Sequence, residues 1–97
     1  MEENVQAEHR LQATVHGRVQ GVSFRFYTRR RAADLRLTGY VRNAWDGTVE
    51  VVAEGSRAGL QEFLAFLQVG PPAAVVTQVD ARWVVPTNTF ARFEVRY

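Results

Sequence analysis

The stretch LQATVHGRVQGVSFRFYTRRRAADL, residues 11–35, combines the patterns of a strand, a glycine-bounded loop and a helix. Apolar and polar residues alternate from Arg10 to His16, which predicts a half-buried β-strand. Further along, apolar or small residues recur at spacings of four, four and three, the period of an amphipathic helix. The residues of this helical stripe are Phe24, Thr28, Ala32 and Leu35.

The loop between these two elements has the composition of an anion-binding turn. Gly17 and Gly21 permit positive φ and a close backbone approach. The N–H groups of the loop and of the first helical turn lack partners, so they can bind an anion. Arg25 can add a bidentate fork to the same anion. The alternative interpretation is a tight turn with a solvated arginine. A nucleotide P-loop is excluded, because the Gly-Lys-Ser/Thr ending is missing.

The rest of the chain follows the same two periodicities. Asp46-Gly47 is a strong turn signal between two strands. Ser56 can cap a second helix, and the GPP sequence at 70–72 ends it. The elements predicted after the first helix are a strand at 39–43, a strand beginning at Val49, a helix with Leu60, Phe63, Leu64 and Leu67 on its apolar stripe, a strand at 75–84 and a closing strand at 91–97.

The resulting order is βαββαβ with a closing strand, which predicts an α+β fold with both helices on one face of a sheet. A right-handed crossover between the first two strands makes them parallel, so their carboxyl ends lie at the same edge. The first strand ends at Gly17 and the second near Asn43. We therefore expect the glycine-bounded loop and Asn43 to meet, although they are distant in sequence.

The composition limits the class of protein. Ninety-seven residues predict a single domain, residues 1–97, with about residues 1–8 as a flexible arm. The chain has no cysteine, which excludes disulfides and thiolate chemistry. The start lacks a signal-peptide pattern and no apolar run reaches membrane-span length, so we expect a soluble cytoplasmic protein. The positive charges are twelve arginines, and the run at 29–31 is interpreted as a solvated helix face.

Two segments, HGRVQGVSFR and GYVRNAWDGTVE, closely resemble the two signature segments of the acylphosphatases. The resemblance extends from about Leu11 to Tyr97. It implies a ferredoxin-like sandwich with a mostly antiparallel sheet of four to five strands. It also implies hydrolysis of an acyl phosphate by water to a carboxylate and inorganic phosphate, without a metal ion or another cofactor.

By resemblance, Arg25 corresponds to the phosphate-binding arginine and Asn43 to the asparagine that holds the attacking water. Gly17 and Thr28 correspond to supporting residues, and the closing strand would bring the carboxylate of Tyr97 towards Arg25. The backbone that corresponds to the phosphate cradle comprises Arg18, Val19, Gln20, Gly21, Val22, Ser23 and Phe24.

The expected partners are a small-molecule acyl phosphate and inorganic phosphate, as product and competitive inhibitor. We expect a monomer that binds neither nucleic acid nor membrane. The same element order also serves RNA-binding domains, which present aromatic residues on central strands. Here the third strand, TVEVVAE, has none. A module that binds a phosphate compound without turning it over is a further alternative. His9 and His16 without a carboxylate cluster do not predict a metal site.

Overall fold

The computed structural model describes residues 6–97, and these form two helices and five strands in the predicted order. The elements are β1 (His9–Arg18), α1 (Phe24–Asp34), β2 (Thr38–Asn43), β3 (Val49–Gly55), α2 (Arg57–Val69), β4 (Val75–Val84) and β5 (Phe93–Arg96). Within residues 6–97, neither helix has both the length and the apolar character needed to cross a bilayer.

The strands form one sheet in the order β4-β1-β3-β2-β5. β3 is antiparallel to both β1 and β2, so β1 and β2 run parallel to each other, as predicted. Val15 of β1 and Asn43 of β2 both pair with Val49 of β3. The carboxyl ends of β1 and β2 therefore flank β3 at one edge of the sheet. β5 is parallel to β2, which makes the sheet mixed.

The core lies between the helices and one face of the sheet. In β1 the side chains of Leu11, Ala13 and Val15 are buried, and those of Gln12 and Thr14 are half-buried on the other face. This alternation confirms the predicted strand, and full burial of one large apolar side chain stabilises the fold by about 1.5–3 kcal/mol. The helices contribute five buried apolar side chains to the core, those of Phe24, Ala32, Leu60, Phe63 and Leu67.

β1 is longer than the predicted strand, which ended at Gly17, because it begins at His9 and continues to Arg18. The pairing with β4 shifts register between His16 and Gly17. Gly17 has φ +123°, and a Cβ atom there would collide with the carbonyl oxygen of Val75. Only glycine lets β4 approach this closely, so the pairing extends past the predicted end. The loop to α1 therefore begins at Val19.

Residues 1–5 of the predicted N-terminal arm lie outside the described residues. The residues that follow them are bonded to the domain. The N–H of Ala7 donates to Asn88 Oδ1 at 2.7 Å, and the N–H of Glu8 donates to the carbonyl of Gly55 at 3.0 Å.

Glu54 is a buried carboxylate of β3 that fixes the segment between β4 and β5, and its side chain is 0% exposed. It accepts hydrogen bonds from the N–H groups of Thr87 and Asn88 at 2.8 and 2.9 Å, and from the Thr87 hydroxyl at 3.1 Å. The Arg10 guanidinium lies 3.3 Å away. Burial acts to raise the pKa of Glu54, but these bonds and the Arg10 charge together hold it below the ordinary 4.5.

Candidate active site

The connection between β1 and α1 presents unpartnered backbone N–H groups. Gly21 and Ser23 have φ +74° and +61°, which reverses the chain over a few residues. Ser23 is the N-cap of α1 but makes no side-chain cap bond. The hydrogen bonds formed within residues 6–97 include none donated by the backbone of Gln20 to Phe26. The loop and the helix terminus therefore offer a set of free donors to an anion.

Gln20 ties this loop to the hairpin between β2 and β3. Its Nε2 donates to the carbonyl oxygens of Ala44 at 2.7 Å and Thr48 at 2.9 Å. The hairpin is itself closed by Asp46, whose Oδ1 accepts from the hydroxyl and the N–H of Thr48. These bonds, the hydroxyl bond first, lower the pKa of Asp46 below its ordinary 3.8. These bonds thus fix the position of the loop relative to Asn43, the residue that precedes the hairpin.

Asn43 is the last residue of β2, and its side chain lines the cleft next to the loop. Its Oδ1 is buried and has no hydrogen-bond partner in the part of the chain that the structure describes. Buried side-chain oxygens normally have a partner. The acceptor capacity of this carboxamide is therefore not used by the protein.

Arg25 lies in the first turn of α1 and is half-buried. Its Nη1 donates to the carbonyl of Arg96 at 3.5 Å, and its guanidinium carbon lies 4.7 Å from the centre of the Tyr97 ring. Tyr97 thus contacts Arg25 through its ring. No ion pair to Arg25 forms among residues 6–97. The positive charge of Arg25 is accordingly not neutralised by a carboxylate.

These groups surround one cleft of about 410 Å³. A volume of this size is typical of small-molecule sites. Predicted site residues form much of its wall, namely Val19, Gly21, Ser23, Phe24, Arg25 and Asn43. The two segments that topology places at one edge of the sheet therefore do enclose a common space.

Comparison with known proteins identifies the family. The family model described as Acylphosphatase matches residues 11–95. The chain belongs to the acylphosphatase family. It is 49% identical over 88 residues to an acylphosphatase of Syntrophotalea carbinolica, covering 91% of this chain and 96% of that protein.

Solved acylphosphatase structures share the fold. The acylphosphatase of Bacillus subtilis superposes with a TM-score of 0.88 at 35% identity, covering 92% of this chain and 99% of that one. An acylphosphatase from Coxiella burnetii gives 0.87 at 40% identity, covering 93% and 94%. The ferredoxin-like architecture implied by the signature segments is confirmed.

Several residues that the acylphosphatase resemblance singled out do not line the cleft. Gly17 and Arg18 lie at the end of β1, opposite Val76 and Val75. Val22 packs against the core. Thr28 is fully buried in α1, and its Oγ1 has no partner among the described residues. Gln20 faces the hairpin with its side chain, so any contribution of this residue to a phosphate cradle comes from its backbone.

Three residues that line the cleft, Phe26, Arg29 and Val95, were not among the site residues predicted from the sequence. Arg29 was assigned to a solvated helix face. It follows Arg25 by four residues, and side chains at this spacing lie on one face of a helix. This spacing was the available signal. Val95 of β5 and Tyr97 complete the wall, and no local pattern indicates the contact of Val95.

His16, the histidine nearest the loop in sequence, contacts β4 and does not line the cleft. His16 Nε2 lies 2.9 Å from Asp80 Oδ2 on β4. The pKa of Asp80 is lowered by a hydrogen bond from the Gln78 side chain and by this contact. Over the described range, 6–97, the structure contains no group of three or more His, Cys, Asp or Glu side chains that could hold a metal ion.

Proposed function

We propose that the chain hydrolyses the carboxyl–phosphate bond of acyl phosphates, with Arg25, Asn43 and the N–H groups of the loop as the working groups and no metal ion. Family membership supports the reaction class. The observation that carries the assignment of residues is the cleft itself. Judged from residues 6–97, it joins free backbone donors, an arginine without a counter-charge and a carboxamide with an unused acceptor.

The loop amides and Arg25 bind the phosphoryl group. In phosphoryl transfer the negative charge is spread over the three outer oxygens, so fixed donors around them stabilise the transition state. The N–H groups from Gln20 to Phe26 are free to do this. Arg25 supplies a charged, bidentate donor from the first helical turn.

Asn43 holds the attacking water. A carboxamide offers one acceptor and two donors, which is enough to fix both the position and the orientation of one water molecule. Positioning the water in line with the departing oxygen makes the step effectively unimolecular. The proton that the water loses passes to an oxygen of the bound phosphate group. No histidine, cysteine or carboxylate is needed for this transfer.

The leaving group needs no acid. The departing carboxylate has a conjugate acid with a pKa of about 4, so it leaves as the anion at neutral pH. The products are this carboxylate and inorganic phosphate. Inorganic phosphate occupies the same donors as the substrate, and we propose that it is a competitive inhibitor. A cytoplasmic monomer is proposed as well, with the cysteine-free composition as support for the compartment.

The test is hydrolysis of benzoyl phosphate, with p-nitrophenyl phosphate as the monoester control, in the presence of a chelator. The proposal predicts cleavage of the acyl phosphate alone. Arg25→Gln should lower kcat/KM by at least about 100- to 1,000-fold, the usual effect of losing one preorganised donor. Asn43→Ala should lower kcat while leaving the inhibition constant of phosphate nearly unchanged.

Three results would contradict the proposal. The first is Arg25→Gln activity within a few-fold of wild type in a folded protein. The second is loss of phosphate binding in Asn43→Ala, which would place Asn43 in the cradle. The third is phosphate binding without turnover by the wild-type chain, which would indicate the binding module that the sequence left open.

A further inference from the structure

A second groove adjoins the phosphate cleft. It has a volume of about 770 Å³ and lies between α1 and the segment that enters β5. Phe26 and Arg29 line both cavities, so they form the boundary between them. Three more arginines line the groove beyond this boundary, Arg30, Arg36 and Arg92. A molecule held in the cleft can therefore extend past Phe26 into the groove.

The arginines give the groove a positive charge that acidic side chains within residues 6–97 hardly neutralise. None of the acidic residues in the described range, 6–97, lines it. Within residues 6–97, Arg29, Arg30 and Arg36 form no ion pair, and Arg92 reaches Glu94 only at 4.0 Å. Cations grouped in this way repel one another, and a bound anion relieves that repulsion.

The neighbouring Arg31 shows a different arrangement on the same helix. It lines neither cavity, and its Nη2 lies 3.9 Å from Glu62 of α2. Within α1, the arginines without an ion pair to residues 6–97 therefore all line the cleft or the groove.

Arg29 follows Arg25 by one turn on this face. Successive turns are about 5.4 Å apart along the helix axis, so an anion on Arg29 would lie within a short acyl chain of the phosphate. Phe26 is 49% exposed between the two sites. Its ring offers an apolar surface for the methylene groups that would join the two charges.

We propose that Arg29 is a specificity-determining residue that selects acyl phosphates whose acyl group carries a second negative charge, such as the monoacyl phosphates of short dicarboxylic acids. The inference rests on the proposed function and adds the substrate class. Arg29 binds the distal carboxylate, Phe26 packs against the chain, and the remaining arginines of the groove raise the local concentration of anions.

The experiment compares succinyl phosphate with its methyl ester, which has the same chain without the distal charge. The expected result is a higher kcat/KM for the free acid in the wild type. Arg29→Gln should reduce this ratio about tenfold, mainly through KM, because an exposed charge-assisted bond is lost. Activity of this variant on the methyl ester should fall less than its activity on the free acid. Arg29→Lys, which keeps the charge, should retain part of the ratio.

Arg31→Gln is the matched control, because it removes the same charge from the same helix outside both cavities. It should leave the ratio unchanged. Added salt should lower the ratio in the wild type, since the groove is open to solvent.

A ratio near one in the wild type, or an equal ratio in wild type and Arg29→Gln, overturns the inference while leaving the proposed hydrolysis intact. Failure to hydrolyse either compound overturns both. Strong inhibition by oligoglutamate that depends on Arg30, Arg36 and Arg92 but not on Arg29 would assign the groove to an acidic polypeptide and contradict the proposal.

Discussion

Gln20 provides a direct test of how the two halves of the site are held together. Its side chain donates two hydrogen bonds across to the β2–β3 hairpin, at 2.7 Å to Ala44 and 2.9 Å to Thr48. The substitution Gln20→Met keeps the length of the side chain and removes both donors. The loop then loses its direct bonds to the hairpin that follows Asn43.

The expected loss of stability is moderate for a structural reason. Each hydrogen bond contributes a net ~1 kcal/mol, and larger costs arise when a buried partner is left unsatisfied. Both carbonyls keep another donor here, since the carbonyl of Ala44 also accepts from Gly47 and that of Thr48 from the N–H of Ala44. We therefore expect a decrease of about 1–2 kcal/mol in the free energy of unfolding, and a fall in Tm of about 4–16 °C for a domain of this size.

The effect on catalysis should be larger than the effect on stability. A displacement of about 1 Å between reacting groups can cost about 100-fold in rate. We expect kcat on benzoyl phosphate to fall by about 10- to 100-fold at a temperature where the variant is fully folded.

The assay pairs urea unfolding with steady-state kinetics. Gln61→Met, on the exposed side of α2, is the control and should change neither quantity. Ordinary surface substitutions change the free energy of unfolding by less than about 0.5 kcal/mol. If Gln20→Met stays within this range of the wild-type value and keeps the wild-type kcat, the two bonds do not position the site.

Two further predictions concern the backbone and the buried carboxylate. Gly17→Ala should destabilise the fold by about 3 kcal/mol or more, because its Cβ would meet the Val75 carbonyl. Gly21→Ala, at positive φ in open space, should cost only about 1–2 kcal/mol. Equal losses of unfolding free energy for the two variants in chemical denaturation would contradict this difference. In the folded protein the pKa of Glu54 lies below its ordinary value of 4.5. The ionised carboxylate therefore stabilises the fold above pH 4.5, and this stabilisation is lost as the pH falls through the lowered pKa. Glu54→Gln should lower stability at pH 7 by about 1–3 kcal/mol and flatten the acid dependence of unfolding, whereas an unchanged acid slope would refute the role of Glu54.

The sequence was sufficient to predict the fold and the meeting of the two site segments. Alternation in β1 and the helical stripe of α1 depend on local periodicity, and both were predicted. The proximity of the loop to Asn43 followed from the parallel direction of β1 and β2, which the handedness of the crossover dictates. These features depend on backbone rules that apply to any sequence with the same order of elements.

Contacts between distant side chains could not be predicted in the same way. The bonds of Gln20 to the hairpin and of Glu54 to the segment after β4 join residues far apart in sequence, and no periodicity indicates them. The extension of β1 past Gly17 depends on how closely β4 approaches Gly17. The spacing of four residues places Arg29 beside Arg25, but the groove that the segment before β5 forms against α1 follows from no local pattern.

The central claim is that the loop amides and Arg25 bind one phosphate group next to the carboxamide of Asn43, which holds the attacking water. A titration of the ¹⁵N-labelled protein with inorganic phosphate, followed by amide NMR shifts, tests this most directly. We expect saturable shifts concentrated at the backbone of Gln20 to Phe26 and at the nearby Asn43 side chain, and their loss in Arg25→Gln. Saturable shifts confined to other surfaces, such as the arginines of the second groove, or shifts that persist in Arg25→Gln, would contradict it.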